Sequence, residues 1–90
     1  MRNTDVIKDF LCKRTAFGSN LYSNGKKLVN YGTTIAEWYD NYHLIINETY
    51  YSNTTSTIQH RIAKELTPER GIIARYITNV PKDTVDLKYN

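Results

Sequence analysis

The fold turns on TTIAEWYDNYHLIIN, residues Thr33 to Asn47. Asp40-Asn41 stands between two apolar-rich halves, and a two-residue loop there folds them into an antiparallel hairpin. That register sets Tyr39 against Tyr42, Glu37 against Leu44 and Ile35 against Ile46 on one face. Trp38 then faces His43, and Ala36 faces Ile45, on the other. Both faces carry apolar side chains. One is expected to lie under helices and the other to form a smaller apolar patch; the pattern does not choose between them.

Upstream, Lys27 to Tyr31 and Thr33 to Tyr39 read as extended segments separated by Gly32, a bulge or a bend. Ser23-Asn24-Gly25 is a turn signal, because Asn and Gly tolerate the positive φ of a tight hairpin. Gly18 begins a loop or a first strand. Before it, Val6, Ile7, Phe10 and Leu11 recur on one helical face, with Asn3 or Thr4 as cap, so residues 4–13 are expected to form a short amphipathic helix.

Downstream, Ser56-Thr57-Ile58-Gln59 fits a capping box, and Ile58, Ile62 and Leu66 are spaced four apart, which predicts a helix over 57–66. Thr67-Pro68-Glu69 is a second helix start. Ile72, Ile73, Tyr76, Ile77 and Val80 then repeat a helical stripe, predicting a third helix over 68–80 that ends before Pro81. Residues 81–90 read as a tail that frays or adds a short edge strand. The expected architecture is α+β: an N-terminal helix, an antiparallel meander of three or four strands within 14–47, and two C-terminal helices covering one sheet face.

Ninety residues suffice for one domain, near the lower end of what a single core holds together. The charge of +3, from 12 Lys and Arg against 9 Asp and Glu, favours an anionic partner mildly. One cysteine, Cys12, cannot form an internal disulfide, which suits a reducing cytosol. No apolar run approaches the ~20 residues of a membrane span, and MRNTDVIKDF lacks the apolar core of a signal peptide. Neither membrane association nor export is expected, so the sequons at Asn47 and Asn53 read as chance matches. The distinctive feature is eight Tyr against two Phe and one Trp, ring surface whose polar end prefers a partly wet site.

Catalytic patterns are absent from the sequence. Cys12, His43 and His60 lie far apart and in no metal-ligand spacing, and the glycines are scattered singly, so no metal, phosphate loop or cofactor is expected. Cys12, next to Leu11 on the first helix, reads as a buried or half-buried thiol. A binding protein is expected in place of an enzyme. His60, Arg61 and Lys64 fall on the helix face opposite Ile58, Ile62 and Leu66. Tyr50, Tyr51, Ser52, Thr54, Thr55 and Ser56 stand just before or at the start of that helix, where free amides and the dipole favour an anion and rings can stack bases. Lys26 and Lys27 add positive charge at the hairpin tip. Against recognition stands the structural reading, in which the hydroxyls only cap, the basic face is only solvated and the tyrosines are ladder residues.

The segments LVNYGTTIAEW and HLIINETYYSNTTSTIQHRI resemble a domain of unknown function found in many small phage-encoded proteins. The matching residues are Leu28, Tyr31, Gly32, Thr33, Ile35, Ala36, Tyr51, Ser52, Thr54 and Thr55. His60 departs from the family's register, where the His often follows the Thr pair sooner. The resemblance spans about residues 21–66 and leaves both ends of the chain outside. It implies a small protein acting in the cytosol of an infected host by binding a host complex, as inhibitors of CRISPR and other defence systems do. The expectation is therefore a phage inhibitor that docks on a host defence ribonucleoprotein with RNA among its contacts. The alternative is a phage DNA-binding or transcription-regulatory module.

Overall fold

The computed structural model describes residues 2–88. The chain runs through α1 (Asn3–Leu11), β1 (Thr15–Phe17), β2 (Leu21–Asn24), β3 (Lys27–Asn30), β4 (Thr33–Trp38), β5 (His43–Asn47), α2 (Asn53–Glu65), a 3-10 turn (Pro68–Arg70) and β6 (Ile73–Ile77). The architecture is α+β with one six-stranded sheet in the order β1-β2-β3-β4-β5-β6. Strands β1 to β5 form an antiparallel meander, whereas β6 pairs with β5 in parallel, Leu44 opposite Ala74 and Ile46 opposite Tyr76. A parallel neighbour needs a crossover, and α2 supplies it.

The third helix expected over 68–80 does not form. After the Pro68–Arg70 turn the chain leaves through Gly71 at φ 65, a left-handed step that an α-helix cannot continue through. Beyond it, Ile72, Ile73, Ile77 and Thr78 are β-branched, and the open edge of β5 offers backbone partners to a strand. The same apolar residues that trace a helical stripe also alternate: Ile72 and Ala74 pack on the helix side of the sheet, and Ile77 on the opposite side. The meander likewise has five strands where three or four were expected, because Gly18 sits in a connection with β1 before it and β2 after it.

The Thr33–Asn47 hairpin forms one residue out of the predicted register. Glu37 faces Ile45, Ala36 faces Ile46 and Trp38 faces Leu44. Its loop is Asp40-Asn41-Tyr42, closed by the Tyr39 N–H donating to the His43 carbonyl at 2.8 Å. The Asp40 carboxylate accepts the N–H groups of Tyr42 and His43, each at 2.8 Å, which favours the three-residue loop over the tighter one. Such a slip exchanges the faces of every β5 side chain. Tyr31 and Gly32, both at positive φ, make the tight β3–β4 turn, and the bulge lies at Ile35, the extra residue between the pairs Val29–Thr34 and Leu28–Ala36. Ile35 and Ala36 therefore both reach the main core.

That core lies between the sheet and the two helices. Val6, Ile7, Phe10 and Leu11 of α1 and Ile58 and Ile62 of α2 cover Ala16, Leu21, Leu28, Ala36, Trp38, Leu44 and Ile46. The helix limits differ from the expected ones at both ends. Asn3 is already helical with no side-chain cap before it, α1 stops at Leu11, and Cys12 follows as an exposed thiol, not a buried one. Helix α2 starts at Asn53 and ends at Glu65, so the predicted 57–66 begins a full turn late; Ser52, not Ser56, caps it, its side-chain oxygen accepting the Thr55 N–H at 3.2 Å. The hydroxyl run that reads as a loop is the helix's first turn.

The middle of the opposite sheet face is covered by the residues expected to fray or to add a short edge strand. Residues 80–88 cross it as a strap, with Val80 and Leu87 buried against Ile45. The Thr34 N–H donates to Thr84 O at 2.9 Å, the Thr34 hydroxyl to Val85 O at 2.6 Å and the Leu87 N–H to the buried Glu37 carboxylate at 2.8 Å. Lys27 and Asp86 add an ion pair. A tail so tied by backbone bonds is part of the fold. Residues 89 and 90 of the predicted tail lie outside the described residues. Among the described residues no helix is long and apolar enough to cross a membrane.

Candidate nucleic-acid interface

The residues singled out in the sequence fall into three places. The first is a joint where the end of β5, the strap and the start of α2 meet. Tyr51 donates its hydroxyl to Val80 O at 2.6 Å and accepts from the Asn47 amide at 2.8 Å. Thr55 is buried and donates to the Asn30 side chain at 2.7 Å; Thr49 accepts the Val80 N–H at 2.9 Å. Gln59 closes the joint by donating to the carbonyls of Asn47 and Thr49. A polar hollow of about 450 Å³ opens beside it, lined by Tyr31, Thr33, Tyr51, Ser52, Thr55 and Lys82 among others. The hydroxyls of Tyr51 and Thr55 are thus committed to the fold, while Thr54 stays exposed at the helix start.

The second place is the outward face of α2. His60, Arg61 and Lys64 are exposed and, with Thr57, line a shallow depression of about 190 Å³. The stripe expected from the sequence is there, with Ile58 and Ile62 buried on the opposite side. None of the three basic residues forms an ion pair among the described residues. His60 also borders a second depression of about 90 Å³, between α2 and β6, where Tyr50, Tyr76 and Glu48 stand. Tyr50 is 65% exposed and Tyr76 47%. The Tyr50 hydroxyl donates to Asn53 at 2.7 Å, which holds its ring at the helix start. Positive charge and accessible rings are therefore neighbours across one histidine. Tyr76 escaped the sequence reading because a helical stripe assigned it to a core; the β-branched run around it was the signal for a strand.

The third place is the β2–β3 tip. The Asn24 side chain accepts the N–H groups of Lys26 and Lys27, at 2.9 and 2.7 Å, and fixes the turn. Lys26 points to solvent, but Lys27 is held by Asp86, and that hydrogen bond pushes its ammonium pKa above the usual lysine range. Lys27 therefore belongs to the strap contact, and the structure does not bring it to α2.

The remaining polar chemistry is local. His43 Nδ1 lies 2.9 Å from both Asp40 carboxylate oxygens at the hairpin loop. The Tyr42 N–H, then the His43 ring and N–H, hold the Asp40 carboxyl down to a pKa of about 2. No group of three or more metal-ligating side chains occurs among the described residues. Compared with known proteins, the chain matches no protein-family model, no curated protein and no solved structure.

Proposed function

We propose that this chain is a non-catalytic binding protein that docks through the outer face of α2 on a nucleic-acid-containing target. The resemblance to small phage proteins points to the target: a host defence ribonucleoprotein of the CRISPR kind, inhibited by occupation of its RNA or of the channel that binds nucleic acid. The observation that carries the reading is the placing of the cations Arg61 and Lys64, without an ion pair among the described residues, beside the exposed rings of Tyr50 and Tyr76, joined by His60. Phosphates belong on the Arg61–Lys64 side, where no carboxylate of the described residues lines the depression. Bases belong on the tyrosine side, stacking there at ~1–3 kcal/mol each, with Glu48 able to accept from a base amino group.

The test is purification from a bacterial host. Absorbance at 260 relative to 280 nm is expected to show bound nucleic acid that ribonuclease or high salt removes, since phosphate contacts release counterions. Expression is further expected to restore plaques of a phage that the host's CRISPR system blocks, with the effector complex retained on tagged protein. A clean protein spectrum throughout, with no shift of labelled RNA at low salt, removes direct nucleic-acid contact. Absence of both rescue and copurification removes the defence target.

A further inference from the structure

A cleft of about 260 Å³ opens where the end of α1, the β2–β3 tip and the β4–β5 loop meet, lined by Lys13, Lys26 and Lys88 together with Trp38, Tyr39 and Asp40. The fold brings these lysines together from distant parts of the chain. Gly25 lets the tip tuck under the end of α1: a Cβ there would stand 3.0 Å from the Lys13 carbonyl oxygen. Lys13 itself takes a left-handed conformation, φ 60, where glycine is usual at a helix end. Two rings then hold two of the cations in place. The Lys13 ammonium sits 3.8 Å from the Trp38 ring centroid and the Lys88 ammonium 5.4 Å from that of Tyr39.

We infer that this cleft is a phosphate site for a short phosphodiester segment of a single-stranded nucleic acid. Like charges gathered in one cleft repel unless an anion lies among them, and none of the three lysines forms an ion pair among the described residues. The carboxylate that lines the cleft, Asp40, is turned to its own loop by the N–H groups of Tyr42 and His43 and by the His43 ring. The carbonyls at the end of α1 are capped as well, those of Lys8, Asp9 and Phe10 accepting from the amides of residues 12–14 and from the Trp38 indole. At about 260 Å³ the cleft is smaller than the roughly 300–1,000 Å³ that encloses a whole small ligand, so it fits part of a longer one. This site shares its ligand class with the α2 face and none of its residues. The C-terminal end of α2 lies toward the same end of the sheet as the cleft, because α2 runs back from the end of β5 to the start of β6 beside Tyr42, whereas Tyr76 stands opposite Ile46 toward the other end.

The experiment compares the salt dependence of binding to a fluorescein-labelled oligouridylate for the full chain and for Lys26→Gln, Lys88→Gln, with inorganic tripolyphosphate as competitor. Each phosphate contact on a single strand contributes about 0.7 to the slope of log K against log salt, so the double change is expected to flatten it by about 1.4. Tripolyphosphate is expected to displace the oligonucleotide from the full chain. An unchanged slope and affinity in a folded variant overturns the inference, as does a chain that binds tripolyphosphate but no oligonucleotide. Should the double variant not fold, Lys26→Gln alone is expected to flatten the slope by about 0.7. Arg61→Gln, Lys64→Gln measured alongside separates the two sites: loss there with an unchanged cleft variant removes the cleft alone, and the reverse removes the α2 reading alone.

Discussion

At the scale of single residues, the hydroxyl run before α2 divides into atoms that hold the fold and atoms left to solvent. Ser52 caps the helix and Thr55 is bonded to Asn30, whereas Thr54 is exposed and Ser56 only half-buried. Ser52→Ala is expected to cost about 0.5–2 kcal/mol by urea unfolding, as loss of a cap does. Ser56→Ala is expected to stay within roughly 0.5 kcal/mol, the range of surface changes. The reverse ranking would place the helix start at Ser56. The capping box at Ser56 to Gln59 was legible and misleading, because Gln59 uses its amide on the carbonyls of Asn47 and Thr49. Those acceptors lie ten or more residues upstream, where a local pattern does not reach. The basic stripe of His60, Arg61 and Lys64 was legible because spacing alone sets a helix face.

At the scale of elements, the hairpin shows how one turn decides a register. Alternation located β4 and β5, but the loop length rests on the Asp40 carboxylate accepting the Tyr42 and His43 amides. Those contacts lower the Asp40 pKa from 3.8 to about 2, so its charge stabilises the folded state above 3.8, and that contribution is lost as pH falls toward about 2. Asp40→Asn keeps an acceptor oxygen and cannot titrate. Over that interval the urea midpoint of the parent is expected to fall further than that of the variant; equal falls would mean that Asp40 does not hold the loop in its charged form. Strand β6 was the least legible element. Its apolar residues satisfy both a helical and an alternating pattern, and the deciding partner is the edge of β5, which lies beyond any local window.

At the scale of the whole molecule, α1 and α2 cover one face of the sheet and the strap covers the middle of the other, where Phe17, Tyr22 and Ile73 stay exposed to either side of it. The strap was illegible because its bonds run to Thr33, Thr34 and Glu37, about fifty residues upstream. Tyr50 and Tyr76 stand where α2 meets β6, and the basic residues stand on the outside of α2. The measurement that tests this account most directly is a titration of isotope-labelled protein with single-stranded RNA, followed by amide and tyrosine-ring chemical shifts. Shifts at Thr57, His60, Arg61 and Lys64, with the rings of Tyr50 and Tyr76 and weakening as salt rises, are the predicted result. A folded protein whose α2 signals stay in place while RNA is added would contradict it.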